Sequence, residues 1–139
     1  MRASRRTGDS FVVCLVTSGA IVGVFNLAEL SARARTGFIS YYVHPSYARQ
    51  GLMREGLQLL LGYVFDQLGL IAVGASIQPG NVASAGLVEQ AGFRPEKAPP
   101  RYLRLFGVWR GHPTWSITAA RWRALAAEEA EAGEPGPPV

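Results

Sequence analysis

Gly51 stands directly before an apolar pattern of helical spacing, between Arg49-Gln50 on one side and Leu52-Met53-Arg54 on the other. A helix N-terminus at that point presents several unpaired N–H groups and about half a positive charge, and a glycine leaves them accessible. The amides of Gln50, Gly51, Leu52 and Met53, with Arg49 and Arg54 beside them, therefore suit the oxygens of a phosphate or pyrophosphate. A turn that only starts a helix uses the same glycine, so both readings stand at this point. Two familiar phosphate loops are excluded. No Gly-Lys-Ser/Thr follows, and Met53 and Arg54 occupy places where the dinucleotide fingerprint needs glycine. A second set of polar residues lies in QPGNVASAGLVEQAGF, where Asn81 ends a turn and Ser84 follows three residues later. Ser84 there can serve as a proton donor, or its hydroxyl can simply bond a carbonyl in the first helical turn.

The elements that must hold these residues follow from the apolar pattern. Strands are expected at about Phe11–Val16 and Ala20–Leu30, separated by the polar Thr17-Ser18-Gly19, and a third in GFISYYVH from Gly37 to His44. Together they read as an antiparallel meander. From Leu52 the positions Leu57, Leu60, Leu61, Val64, Phe65 and Leu68 recur at helical spacing, with Gly69 at the stop. A strand over Leu70–Ile77, a helix over Val82–Ala91 ended by Gly92, the prolyl segment RPEKAPP and two strand-like runs joined near Phe106-Gly107 complete the order β-β-β-α-β-α-β-β. This is an α/β (α+β) domain with a mixed, mostly antiparallel sheet flanked by helices, in which one helix links two parallel neighbours.

At 139 residues and 48% apolar content the chain is one domain. Over 1–123, fourteen basic side chains against six acidic ones give +8, which favours an anionic partner. Residues 124–139 carry the other four acids, as Glu128, Glu129, Glu131 and Glu134, and read as an acidic, Gly/Pro-rich tail, partly disordered. The lone Cys14 makes neither an internal disulfide nor a zinc site, no metal is expected, and a cytoplasmic setting fits best. MRASRR followed by FVVCLVTSGAIVGVF has the outline of a signal peptide, with SARA downstream. Asp9 breaks its charge pattern, however, and Thr17–Gly19 divide the apolar run as a hairpin turn would. No uninterrupted stretch reaches the roughly 18 residues a membrane helix needs.

RQGLMREGL, PGNVASAGLVEQAGF and YLRLFGVWRGH, in this order and spacing from about Ala20 to Trp122, resemble the GNAT acetyltransferase superfamily, closest to the RimJ/RimL group that acetylates ribosomal-protein N-termini. The resemblance implies a GNAT fold over 1–123 and acetyl-CoA as acyl donor. It places the CoA pyrophosphate on the loop of Arg49, Gln50, Gly51, Leu52 and Met53. Pantetheine would run beside the third strand at Tyr42, Val43 and His44, and Asn81 would contact the pantetheine arm. It further puts the backbone N–H near Val43 and His44 toward the thioester oxygen and makes Ser84 the candidate acid near the sulfur, with Tyr102 as second candidate. The side chain of His44, before Pro45, reads as a turn residue and not a base.

Three departures bear on function. Arg101 stands where the group carries an acid before Tyr-Leu, Phe106 and Gly111 replace aspartates of the RimJ type, and the usual N-terminal strand and two helices are lacking. An α-amine acceptor, with a pKa of about 7.7–8.0, keeps a useful neutral fraction without a base, whereas lysine at about 10.4 does not. The expected function is thus an N-acetyltransferase acting on a peptide or protein N-terminus, or on a small amine, by direct transfer in a ternary complex. The alternative is a non-catalytic acyl-CoA-binding or regulatory module. The open sheet edge invites a homodimer. Direct RNA binding is disfavoured because the aromatic residues and arginines form no stacking motif.

Overall fold

The computed structural model describes residues 9–48, 50–78, 80–97, 101–105 and 108–133. Strands β1 (Asp9–Cys14), β2 (Ile21–Ser31) and β3 (Thr36–Val43) form the expected antiparallel meander. The apolar run near the start is folded as a hairpin, closed by Leu15 N–H to Ala20 O at 2.9 Å and by Gly19 at φ +74°. Along β2 the period of two is clear: Phe25 and Leu27 are buried, Asn26 and Ala28 exposed.

Helix α1 (Leu52–Gly62) buries Met53, Leu57, Leu60 and Leu61. It approaches β1 closely because Gly56 has no side chain: a Cβ there would lie 2.9 Å from Val13 Cγ2. The helix was expected to continue regularly to Leu68. Instead it widens into a π turn (Tyr63–Gln67), with Leu68 N–H bonded to Tyr63 O at 3.0 Å. The widening keeps Val64 and Phe65, consecutive in the chain, both buried. Gly69 at φ +70° ends it, and the Arg35 guanidinium clamps the Gly69 carbonyl at 2.7 Å and 3.0 Å.

Strand β4 (Ala72–Ser76) lies parallel to β3, as the crossover through α1 requires. Helix α2 (Val82–Ala91) follows and stops at Gly92, φ +105°. The last third departs from expectation. A two-residue strand β5 (Arg94–Pro95) carries no sequence signal, and the runs expected as two strands are three. β6 (Arg101–Leu105) and β7 (Val108–His112) form a separate hairpin, while β8 (Thr114–Thr118) enters the main sheet between β4 and β5. Pro113 makes the break, since it has no N–H for a ladder, and its carbonyl accepts from Ile77 N–H at 3.0 Å. The sheet order is β1-β2-β3-β4-β8-β5, with β3–β4 parallel and its other pairs antiparallel.

Helix α3 (Ala119–Gly133) starts directly from β8 and runs across the 123/124 boundary drawn from charge. It is clasped to the body by three side chains. Arg121 Nε donates to Gly92 O at 2.7 Å, Trp122 Nε1 to Gln58 Oε1 at 3.3 Å, and Arg123 Nη2 to Asp66 Oδ1 at 3.2 Å. The Gly/Pro run beyond Gly133 lies outside the described residues. Leu57, Leu61, Val64, Val73 and Val88, all without exposed surface, join β-sheet to helices in one core, each worth about 1.5–3 kcal/mol of burial. Among the described residues no helix is long and apolar enough to cross a membrane.

Candidate active site

The site begins where two parallel strands part. β3 pairs with β4 only from Thr36↔Ala72 to Ile39↔Ala75, whereas its pairing with β2 continues to Gly23↔Val43. β4 is drawn the other way by β8, to which it stays paired through Ser76↔Thr114. One side of β3 is thereby left without a strand over Ser40–Val43. His44 N–H donates to Val22 O at 2.7 Å, which makes Val22 and His44 a hydrogen-bonded pair of the β2–β3 ladder. Such pairs alternate, so Tyr42 also bonds toward β2, and the N–H and C=O groups of Tyr41 and Val43 face the gap.

The gap leads to the glycine turn. Gly51 adopts φ +76°, a left-handed conformation that only glycine takes without strain, and no side chain caps the helix it begins. The first helical bond runs from Glu55 N–H to Gly51 O at 3.1 Å, so the amides of Leu52, Met53 and Arg54 have no acceptor within the helix. Between this turn and α2 lies a cleft of about 380 Å³. Tyr41, Val43 and Tyr47 line it from the β3 side, Gln50, Gly51, Met53 and Arg54 from the turn, and Ala83, Gly86, Leu87 and Gln90 from α2. Among its described lining residues there is no carboxylate, and Arg54 is the only formal charge. Open strand groups, a helix N-terminus and this volume together fit a long ligand with an amide-bearing arm and a phosphorylated end.

Asn81 caps α2: its Oδ1 accepts from Ser84 N–H at 3.1 Å, which leaves the Nδ2 donors of Asn81 for other contacts. The Ser84 carbonyl in turn accepts from the Tyr41 hydroxyl at 2.9 Å. Burial raises the Tyr41 pKa above its ordinary value, and the contact with Ser84 acts in the opposite sense. The folded-state pKa being the higher one, the stability carried by the neutral phenol is full below about pH 10 and is lost as pH rises through the raised value. Tyr41→Phe should lower stability in urea unfolding by about 1 kcal/mol, the worth of one lost hydrogen bond, and release the first turn of α2.

Of the residues singled out from sequence, Val43, Gln50, Gly51 and Met53 meet in the cleft. Leu52 contributes its amide and turns a half-buried side chain into the core margin. Tyr42, 62% exposed, points to the other face of the sheet. The amide of His44 is engaged by Val22 and its Nδ1 accepts from Ser46 N–H at 3.2 Å, so His44 is a turn residue and of that pair only Val43 turns its amide to the gap. Asn81 and Ser84 stand at the start of α2, beside the cleft and not in its lining. Arg49 and Phe106 lie outside the described residues, as do the side chains of Arg101 and Tyr102 on β6. Tyr41 was missed, although strand alternation from Val43 puts it on the cleft face. Among the described residues no group of three or more His, Cys, Asp or Glu could hold a metal ion.

The fold and this fork define a class. The chain belongs to the GNAT acetyltransferase family, whose domain, described as Acetyltransferase (GNAT) domain, matches residues 1–94. The probable N-acetyltransferase YjcK of Bacillus subtilis is 28% identical over 108 residues, covering 77% of this chain and 60% of that protein. The ribosomal protein uS5-alanine N-acetyltransferase of Escherichia coli is 26% identical over 103 residues, covering 73% of this chain and 53% of the relative. The chain thus spans little more than half the length of these two relatives. A mutant form of the spermidine/spermine N-acetyltransferase SpeG from Vibrio cholerae matches with a TM-score of 0.77 at 19% identity, over 88% of this chain and 73% of that one, a likeness of fold alone.

Proposed function

We propose that the protein is an N-acetyltransferase that moves an acetyl group from acetyl-CoA to an amine, in a ternary complex and without a covalent enzyme intermediate. The carrying observation is the fork: Tyr41 and Val43 offer strand groups to a pantetheine arm, and the gap opens onto the uncapped turn at Gly51. Acetyl-CoA supplies an activated thioester carbon, to which the amine nitrogen bonds as the carbon–sulfur bond breaks; the amine gives up one proton and the thiolate takes one. Val43 N–H stabilises the developing oxyanion from the gap side. Ser84, or Tyr102 from β6, donates the proton to sulfur. Leu52, Met53 and Arg54 hold the pyrophosphate with their amides, and Arg54 adds its charge.

The acceptor we favour is the α-amine of a peptide or protein N-terminus. By its name the Escherichia coli relative is an alanine N-acetyltransferase of ribosomal protein uS5, and the absence of a carboxylate among the described lining residues of the cleft suits an amine that is partly neutral without a base. A cytoplasmic setting and a homodimer belong to the same proposal: β1 is an edge strand, with Val12 and Leu59 exposed beside it. The missing carboxylate also favours one other reading, an acyl-CoA-binding module without turnover. A screen of amine-terminal peptides and small amines for acetyl-CoA consumption separates the two. With a peptide acceptor the rate should rise about tenfold per pH unit below the α-amine pKa of about 7.7–8.0 and level off above it. Acetyl-CoA binding with no consumption in the presence of any amine would leave the binding module.

A further inference from the structure

We infer that Gly86 determines donor specificity by leaving room in the cleft for the branched part of the CoA arm, an assignment that rests on the donor proposed above. Gly86 lies in the middle of α2 (Val82–Ala91). A glycine inside a helix is unfavourable, because it gives up more chain entropy than alanine and adds no packing. Neither the backbone nor a neighbour calls for one at this position. Gly80 and Gly92, on either side of the helix, have positive φ, whereas Gly86 has helical backbone angles. A Cβ would meet Val13 at 2.9 Å from Gly56 and Trp122 at 3.7 Å from Gly62, but from Gly86 it meets nothing within 4 Å.

The space beside Gly86 belongs to the cleft. Ala83, Gly86, Leu87 and Gln90 follow one another at the spacing of a single helix face and form the α2 wall, while Val88 and Ala91 turn into the core. Gln90 also lines, with Gly51 and Arg54, a groove beyond the glycine turn. The end of α2 that bears Gln90 is therefore the phosphate end of the cleft, the end that bears Ser84 is the thioester end, and Gly86 stands between them. The arm that spans this distance is a slender chain except at its pantoyl unit, where a quaternary carbon carries two methyl groups. With the amides of the arm bonded to the open groups of Tyr41 and Val43, the branched carbon faces α2, and the bare backbone of Gly86 accommodates its methyls. Gly86 acts on the donor through shape alone and takes no part in the chemical step.

Two variants of the full chain test the assignment, with CoA affinity from calorimetry and stability from thermal unfolding. Gly86→Ala should raise Tm by about 3–5 °C, as a better helix former, and weaken CoA binding by about tenfold. Gly86→Leu should keep Tm at or above that of the parent and weaken binding by about a hundredfold or more. Stability and affinity thus move in opposite directions, which a glycine kept for the fold would not produce. Parent-like CoA affinity in Gly86→Leu overturns the assignment, and so does a fall of Tm alongside affinity in Gly86→Ala. A parent that binds no CoA would instead overturn the donor itself.

Discussion

Gly51→Glu should reduce CoA affinity by about a hundredfold or more while leaving a folded protein, the loss corresponding to about 2.8 kcal/mol. Two effects contribute and can be separated. The first is conformational: Gly51 holds φ +76°, and a residue with a Cβ pays about 1–2 kcal/mol to remain left-handed. Gly51→Ala isolates this effect, because a Cβ at Gly51 meets nothing within 4 Å and brings no charge. It should lose about 1–2 kcal/mol of stability and bind CoA nearly as the parent does. The second effect is electrostatic and steric. A glutamate carboxylate at the helix start competes for the amides of Leu52, Met53 and Arg54 and repels phosphate oxygens at close range. Calorimetric titration of CoA into both variants, with circular dichroism as a check of folding, decides the matter. Equal affinity in folded Gly51→Glu and parent would place the phosphates elsewhere.

Ser84→Ala should lower turnover by about 10²–10⁴-fold with little change in CoA affinity, as expected for loss of a general acid. The backbone of Ser84 is held on both sides, its N–H by Asn81 Oδ1 and its carbonyl by the Tyr41 hydroxyl. Substitution by alanine keeps both of those bonds, so a fall in turnover reports on the hydroxyl and not on displacement of α2. Single-turnover acetyl transfer with saturating acceptor is the appropriate measurement, since it isolates the chemical step from product release. Parent-like turnover would reduce Ser84 to a residue of the first helical turn and leave the acid role to Tyr102 or to water.

Local chemistry was legible in the sequence and long-range placement was not. The spacing of Leu57, Leu60, Leu61 and Val64 marks α1, and Gly69 and Gly92 mark helix ends because each adopts a positive φ that few other residues tolerate. Gly51 was legible for the same reason. The fork was not, because it exists only when β4 leaves β3 to follow β8, and β8 comes from residues 114–118, far along the chain. β5, with two residues, is too short to carry a periodicity. Asn81 shows the limit for side chains: an asparagine at this place can serve as a helix cap or as a ligand contact, and the bond to Ser84 N–H establishes the cap. The alternation that turns Tyr41 and Val43 toward the gap and Tyr42 and His44 toward β2 depends on the register with β2, which the sequence of β3 alone does not give.

The insertion of β8 between β4 and β5 sets an order for biogenesis. The meander and the α1 crossover join segments that neighbour one another in sequence and can assemble as soon as they leave the ribosome. β5 has no strand to join until β8 arrives, and α3 continues from β8 without a break. While residues 114–118 remain in the exit tunnel, the far edge of β4 is an unpaired, apolar strand in a growing chain, the kind of surface that chaperones bind and that aggregates form around. Slowing synthesis just before this stretch would prolong that exposure, so codon changes over 114–118 should alter the yield of soluble protein without altering a single residue of it.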